Sequence, residues 1–433
     1  MVNLSSGGEI AVGLTLAVVA GLFNGSWNAA FIPRFRLAVG RTTDEDDGEE
    51  ESKPMIMDLA VPHAWILFQV YTSVINTPIC LYWAGGPERV SYILSNGSPS
   101  SMAAVVVFSI LWGVGSAGFG VACRVAGVGL GTNLMMGTIM ILGTLLPMLL
   151  EQTMATASGG MILGGIAVCC CGLYCSIKSL QTRDLDELQA ATTKLEDLSV
   201  DDNMGEAISG VQEDVVDEDQ NAASKNLVTG TSEEALPEEA KGDQAEINDE
   251  QQYSTIQKVA VCLVAAVFGG LLQFAFVLGE EFVDLAGDDS QGPGHTPGSG
   301  TAAVIWLLAI PLGAPASILY GMYTCPKHIP LSSIWKCPWY RHVLIVLTTS
   351  LPWLTHIHLY GLANTLLPDE LSASIAWPIL MMTTVTTGIF WSLVLGEWKQ
   401  ASALARRQLR MGLVLVALGV GLIMASVALS SST

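Results

Sequence analysis

Of the chain's 433 residues, 51% are hydrophobic and 14% charged, well below the ~25% charge of an ordinary soluble domain, and the mean hydropathy is +0.48. The net charge of −21 is local: 21 acids against 4 bases lie between Gln181 and Thr255, and the remainder carries 19 acids and 15 bases. This is a nearly neutral membrane body with one acidic insert, and it offers no basic surface to a nucleic acid.

Apolar runs long enough to cross a bilayer, which takes roughly 20 helical residues, fall at 9–31, 61–84, 101–123, 130–151, 159–180, 256–279, 301–323, 341–364, 370–395 and 410–429. The expected fold is an all-α polytopic membrane protein of ten transmembrane helices. Residues 1–180 form a first five-helix unit and 256–433 a second. Residues 181–255 join them as an acidic, disordered cytosolic insert, too polar to offset chain entropy by burial. The first run has no basic leader and ends in Phe31-Ile-Pro-Arg34, so it reads as a retained span.

Polar residues inside apolar spans mark a bundle interior or a cavity. On the first span Asn24, Trp27, Asn28 and Phe31 share one helical face; on the second, Gln69, Thr72, Ser73 and Asn76 do. The third and fourth spans meet across a very short turn. Gly127, Gly131, Gly137 and Gly143 give them a small-residue surface for close helix contact. Asn133 lies early in the fourth span and Gln273 within the sixth.

On the eighth span Trp353, His356, Tyr360 and Asn364 fall at i, i+3, i+7 and i+11, one stripe by helical period. Aromatic faces beside neutral donors and acceptors suit a sugar, whose apolar ring faces stack while its hydroxyls pair. Together they provide too little fixed positive charge for a phosphate or nucleotide. His356 titrates near neutrality in its unperturbed state. Glu280 and Glu281, at the exit of the sixth span, are further proton-coupling candidates if partly buried.

The nine cysteines lie mostly in spans and form no disulfide framework. Cys325, His328, Cys337 and His342 have a knuckle-like spacing, but His342 already enters the next span, so no metal site is assigned. No nucleophile elbow, phosphate-cradling loop or His-Glu-x-x-His is present, and neither an enzyme nor a cofactor is expected.

With these spans, 18 of the 19 basic residues fall in odd-numbered loops or at the span ends beside them, and Arg89 alone in an even loop. The positive-inside rule then puts the insert in the cytosol and both termini outside or in a lumen. The halves also repeat. Trp112 with Phe119-Gly-Val-Ala122 matches Trp353 with Tyr360-Gly-Leu-Ala363 at the same spacing, and Ala17-x-x-x-Gly21 matches Ala265-x-x-x-Gly269. Five spans per half force duplicated halves into opposite orientations, the inverted-repeat architecture of many secondary transporters.

Leu111-Trp-Gly-Val-Gly115 with Phe119, Gly120 and Arg124, then Gly143-Thr144, resembles the L-rhamnose–proton symporter family of the drug/metabolite transporter superfamily. So do Trp353-x-x-His-x-x-x-Tyr360, Ile375-Ala-Trp377-x-x-Leu-Met-Met382 and Leu395-Gly-Glu-Trp398. The resemblance implies two five-helix repeats around a central sugar pathway driven by a proton gradient. The family pattern has Gln where His356 stands, and it lacks the acidic insert. The expected function is transport of a small sugar, L-rhamnose or a related monosaccharide, by proton symport. The alternatives are a nucleotide-sugar or other metabolite exchanger and a receptor or scaffold signalling through the insert to a cytosolic partner.

Overall fold

The computed structural model describes residues 6–29, 61–202 and 255–430, apart from Gly127, 326–330, 368–371, Glu397, Gln400 and several positions between 289 and 299. The described residues contain helices and no strands, and ten helices are long and apolar enough to cross a membrane. In the first half these are α1 (Ser6–Ala29), α2 (Val61–Trp83), α3 (Pro99–Ala126), α4 (Val128–Leu150) and α5 (Ala157–Asp202). In the second they are α6 (Thr255–Leu278), α7 (Ala303–Thr324), α8 (Trp339–Leu366), α9 (Ser372–Val394) and α10 (Ala403–Ser430). Each of the ten apolar runs is matched by one of these helices, and the chain is an integral multi-pass membrane protein.

One boundary differs from the sequence reading. Helix α5 continues past residue 181 to Asp202, into the stretch that composition assigns to the insert. Leu185, Leu188, Leu195 and Leu198 recur there at helical spacing. The base of the extension is also held to the start of α10: Thr182 Oγ1 donates to Gln408 Oε1 at 3.1 Å and the Ser402 amide to Asp186 Oδ2 at 2.9 Å. The Arg183 guanidinium lies 5.2 Å from the Trp398 ring. Residues 203–254 of the insert lie outside the described residues.

Helix contacts follow a regular scheme. Helix α1 packs on α8 and α9, as α6 packs on α3 and α4. Helix α2 packs on α7 and α8, and α7 packs on α2 and α3; α4 meets α9, and α5 meets α10. Apolar burial gives little drive in lipid, so backbones close in at glycines. Gly165 lies against the Gly419 carbonyl and Gly172 against that of Gly412, an antiparallel seam between α5 and α10. Gly113 and Gly313 touch backbone to backbone where α3 crosses α7, and Ser317 Oγ donates to the Gly113 carbonyl at 3.1 Å.

At the end of the bundle that carries both termini, two short helices not foreseen in the sequence join the halves. Arg89, in Pro87–Asn96, is fully buried. It donates to the carbonyls of Leu285, Ala286 and Asp288 at 3.0, 3.2 and 2.8 Å, capping the negative end of Glu280–Gly287. At the opposite end, where the insert attaches, Tyr71 Oη is 2.7 Å from His342 Nδ1, and Cys325 Sγ is 3.9 Å from the His63 ring nitrogens. Of the knuckle-like set, Cys325 and Cys337 pack on one small apolar cluster with Ile66, Leu67 and Ile334, and His328 lies outside the described residues.

Candidate binding cavity

The eighth span brings its stripe to the centre through a local irregularity. Residues Val346–Ser350 wind as a π-helix, with the Leu351 amide donating to the Val346 carbonyl. Pro352 follows and has no N–H to continue the ordinary ladder, which leaves a carbonyl of the preceding turn to find another partner. Above this turn Trp353, His356 and Tyr360 face inward and line a cavity of about 90 Å³. One water needs ~15 Å³ by this measure, so the space suits several waters or one small ligand.

Every span but α5 and α10 contributes to the wall. Six tryptophans line it: Trp27, Trp65, Trp112, Trp306, Trp353 and Trp377. At the centre Trp112 and Trp353 stack with ring centroids 5.8 Å apart and planes 21° from parallel. The His356 ring stands edge-on to Trp353 at 5.2 Å. Toward the insert end, Trp27 stacks on Phe68 at 5.0 Å and Trp65 on Phe119 at 6.3 Å. Toward the terminus end, Trp306 stacks on Phe276 at 5.1 Å, and Tyr360 meets Trp377 edge-on at 5.4 Å.

Neutral polar groups are set among these rings. Asn24 Nδ2 donates to Thr384 Oγ1 at 3.1 Å, and its Oδ1 accepts from Trp27 Nε1 at 2.9 Å. Gln69 Nε2 donates to Ser116 Oγ at 3.1 Å. Tyr360 Oη donates to Gln273 Oε1 at 2.7 Å, which leaves Gln273 Nε2 buried without a hydrogen-bond partner. Trp306 Nε1 and Asn364 Oδ1 are likewise buried and unpartnered. Such groups cost free energy in lipid unless something pairs with them. They offer two donors and an acceptor around Tyr360. No residue lining the cavity is Asp, Glu, Lys or Arg, and His356 is the lining group that ordinarily titrates near neutrality.

Of the residues singled out from the sequence, Asn24, Trp27, Gln69, Trp353, His356 and Tyr360 line the cavity. Gln273 and Asn364 stand directly behind Tyr360, Asn364 Nδ2 donating to the Tyr360 carbonyl at 2.8 Å. Asn76 stands further back and holds α7 in place, its Nδ2 donating to the Trp306 carbonyl at 2.9 Å. Asn133 is buried on α4 outside the lining. The side chain of Asn28 lies outside the described residues.

Glu280 and Glu281, the further coupling candidates at the exit of the sixth span, lie outside the cavity lining. Glu280 is exposed at the terminus end. The Glu281 carboxylate accepts from the Ser98 amide at 2.9 Å, from the Ser98 hydroxyl and from Ser101 Oγ at 2.6 Å, and so ties the start of α3 to the end of α6. The lining residues the sequence reading missed include the rings of Trp65, Phe68 and Trp306, with Met135 and Met381. The one signal that could have found them is the presence of 11 tryptophans in the chain.

No protein-family profile matches the sequence and no solved structure matches it. Over 113 residues the chain is 26% identical to the L-rhamnose-proton symporter of Mannheimia succiniciproducens, a stretch covering 25% of this chain and 32% of that protein. The ten apolar helices, the central cavity and this distant similarity together fit a membrane transporter.

Proposed function

We propose that the protein is a secondary transporter of a small neutral polyhydroxylated solute, a monosaccharide such as L-rhamnose, driven by proton symport. The observation that carries the reading is the cavity wall: six tryptophans beside the neutral polar side chains of Asn24, Gln69, Ser116 and His356, with no formal charge. A sugar presents C–H faces to such rings and hydroxyls, both donor and acceptor, to the lining Asn24, Gln69, Ser116 and His356. A nucleotide-sugar would bring phosphates that no lining cation meets.

Two further features support transport by inverted repeats. The helix contacts keep their scheme when α1–α5 are exchanged for α6–α10, as expected of duplicated halves around an axis in the membrane plane. His356 supplies one central group able to take up and release a proton. The test is uptake into proteoliposomes of a panel of labelled sugars and nucleotide-sugars, with and without a pH gradient. Saturable uptake of a neutral monosaccharide, accelerated by an inward proton gradient, supports the reading; uptake confined to phosphorylated compounds, or to none of the panel, overturns it.

A further inference from the structure

The same number of positions, 241, separates Trp65 from Trp306, Trp112 from Trp353 and Phe119 from Tyr360. The three pairs occupy corresponding spans of the two halves: α2 and α7 for the first, α3 and α8 for the other two. In the fold the middle pair comes together, Trp112 stacked on Trp353 at 5.8 Å. The other four rings combine within each half of the chain instead. Trp65 contacts Phe119 at 6.3 Å toward the insert end, and Trp306 contacts Tyr360 at 6.4 Å toward the terminus end. The cavity lies between these two layers and is lined by both.

We infer that these equivalent layers are the two gates of the transport pathway, Trp65–Phe119 at the insert end and Trp306–Tyr360 at the terminus end, with the Trp112–Trp353 stack as the fixed centre between them. The inference rests on the transport reading above. Exchange of the halves maps each layer onto the other, so one gate opens as its equivalent closes.

The two gates are not in the same condition. At the terminus end Trp306 and Tyr360 are each 1% exposed. That layer is fastened across helices by Tyr360 to Gln273, by Asn76 to the Trp306 carbonyl, and by Trp377 Nε1 to the Ile139 carbonyl at 3.1 Å. At the insert end Phe119 is half-buried and meets Trp65 ring to ring, and Gln69 Nε2 fastens α2 to α3 there through Ser116 Oγ at 3.1 Å. The terminus layer is thus the more deeply buried of the two.

The test uses a reporter cysteine at Ser116, which lines the cavity and is half-buried. The full-length protein in oriented vesicles is treated with an impermeant thiol reagent from each face, with the protein lacking the reporter as background. Adding Phe119→Ala should raise labelling from the insert face several-fold. Adding Tyr360→Ala should raise it from the terminus face instead. Tyr360→Phe, which keeps the ring and removes only the bond to Gln273, should move labelling the same way by roughly 2- to 10-fold and covers the case that the alanine variant misfolds. Labelling that rises from the same face in all variants, or from neither, overturns the gates. The sugar reading fails separately: face-selective labelling in a protein that takes up no sugar leaves the gates standing with a different cargo.

Discussion

Trp377 owes its place in the cavity wall to a residue without a side chain. Its Nε1 donates to the Ile139 carbonyl at 3.1 Å, and a Cβ on Gly143 would sit 2.1 Å from that nitrogen. Gly143→Leu should therefore unseat the indole, cost roughly 1–3 kcal/mol of stability as overpacking does, and lower uptake at least about tenfold. Gly164→Leu, at a glycine with nothing within 4 Å, is the control and should change neither thermal stability nor uptake. His356 makes a different demand. His356→Ala should abolish substrate-driven flux in a folded protein, because the ring lines the cavity beside Trp353. His356→Gln can still donate and accept but cannot carry a proton, so binding should survive while the pH dependence of uptake flattens. Unchanged flux and pH profile in both variants would take His356 out of the mechanism.

Among the helices, α5 and α10 stand apart from the wall and serve as a brace. Their antiparallel seam is made by glycines seven residues apart on each side, Gly165 and Gly172 against Gly419 and Gly412, with the Cys169 thiol directed at the Val416 carbonyl. Gly419→Leu should lower the melting temperature in detergent measurably, since the incoming side chain meets the Gly165 carbonyl and Cys169. Gly421→Leu, two residues on and facing open space, should not. Helix α8 is built to bend rather than to brace. The π-helical turn at Val346–Ser350 sits just before Trp353, and Ser350 Oγ is 3.4 Å from the Phe68 carbonyl on α2.

For the molecule as a whole, orientation follows from charge. With 18 of 19 basic residues in odd-numbered loops or at the span ends beside them, the insert is expected on the cytosolic side. Single cysteines at Ser5 and Ser432 should react with an impermeant reagent from the outside or lumen, and one at Gln220 from the cytosol alone. Labelling of position 220 from outside with both tails protected would reverse the assignment. The insert is also testable as a signalling element. Deletion of 203–250, which keeps the helical extension fastened to α10 through Thr182 and Asp186, should leave uptake intact. Uptake lost in a folded deletion variant would make the insert part of the transport cycle.

The sequence by itself determined the ten spans, the break into two fives and the inward stripe of α8, because span length and helical period are local properties of the chain. It also matched Trp112 with Trp353 and Phe119 with Tyr360 as counterparts. Only the tertiary structure decided that the first pair would stack on each other while Phe119 turned to Trp65 and Tyr360 to Trp306. It decided as well that Glu281 would join two helix ends through Ser98 and Ser101, that Arg89 would be sealed between loops of both halves, and that α5 would outrun its apolar run by fastening to α10. These outcomes depend on which helices lie side by side. In lipid that choice rests on where glycines let backbones approach and on which buried polar groups find partners across the bundle, and neither is written in any one span.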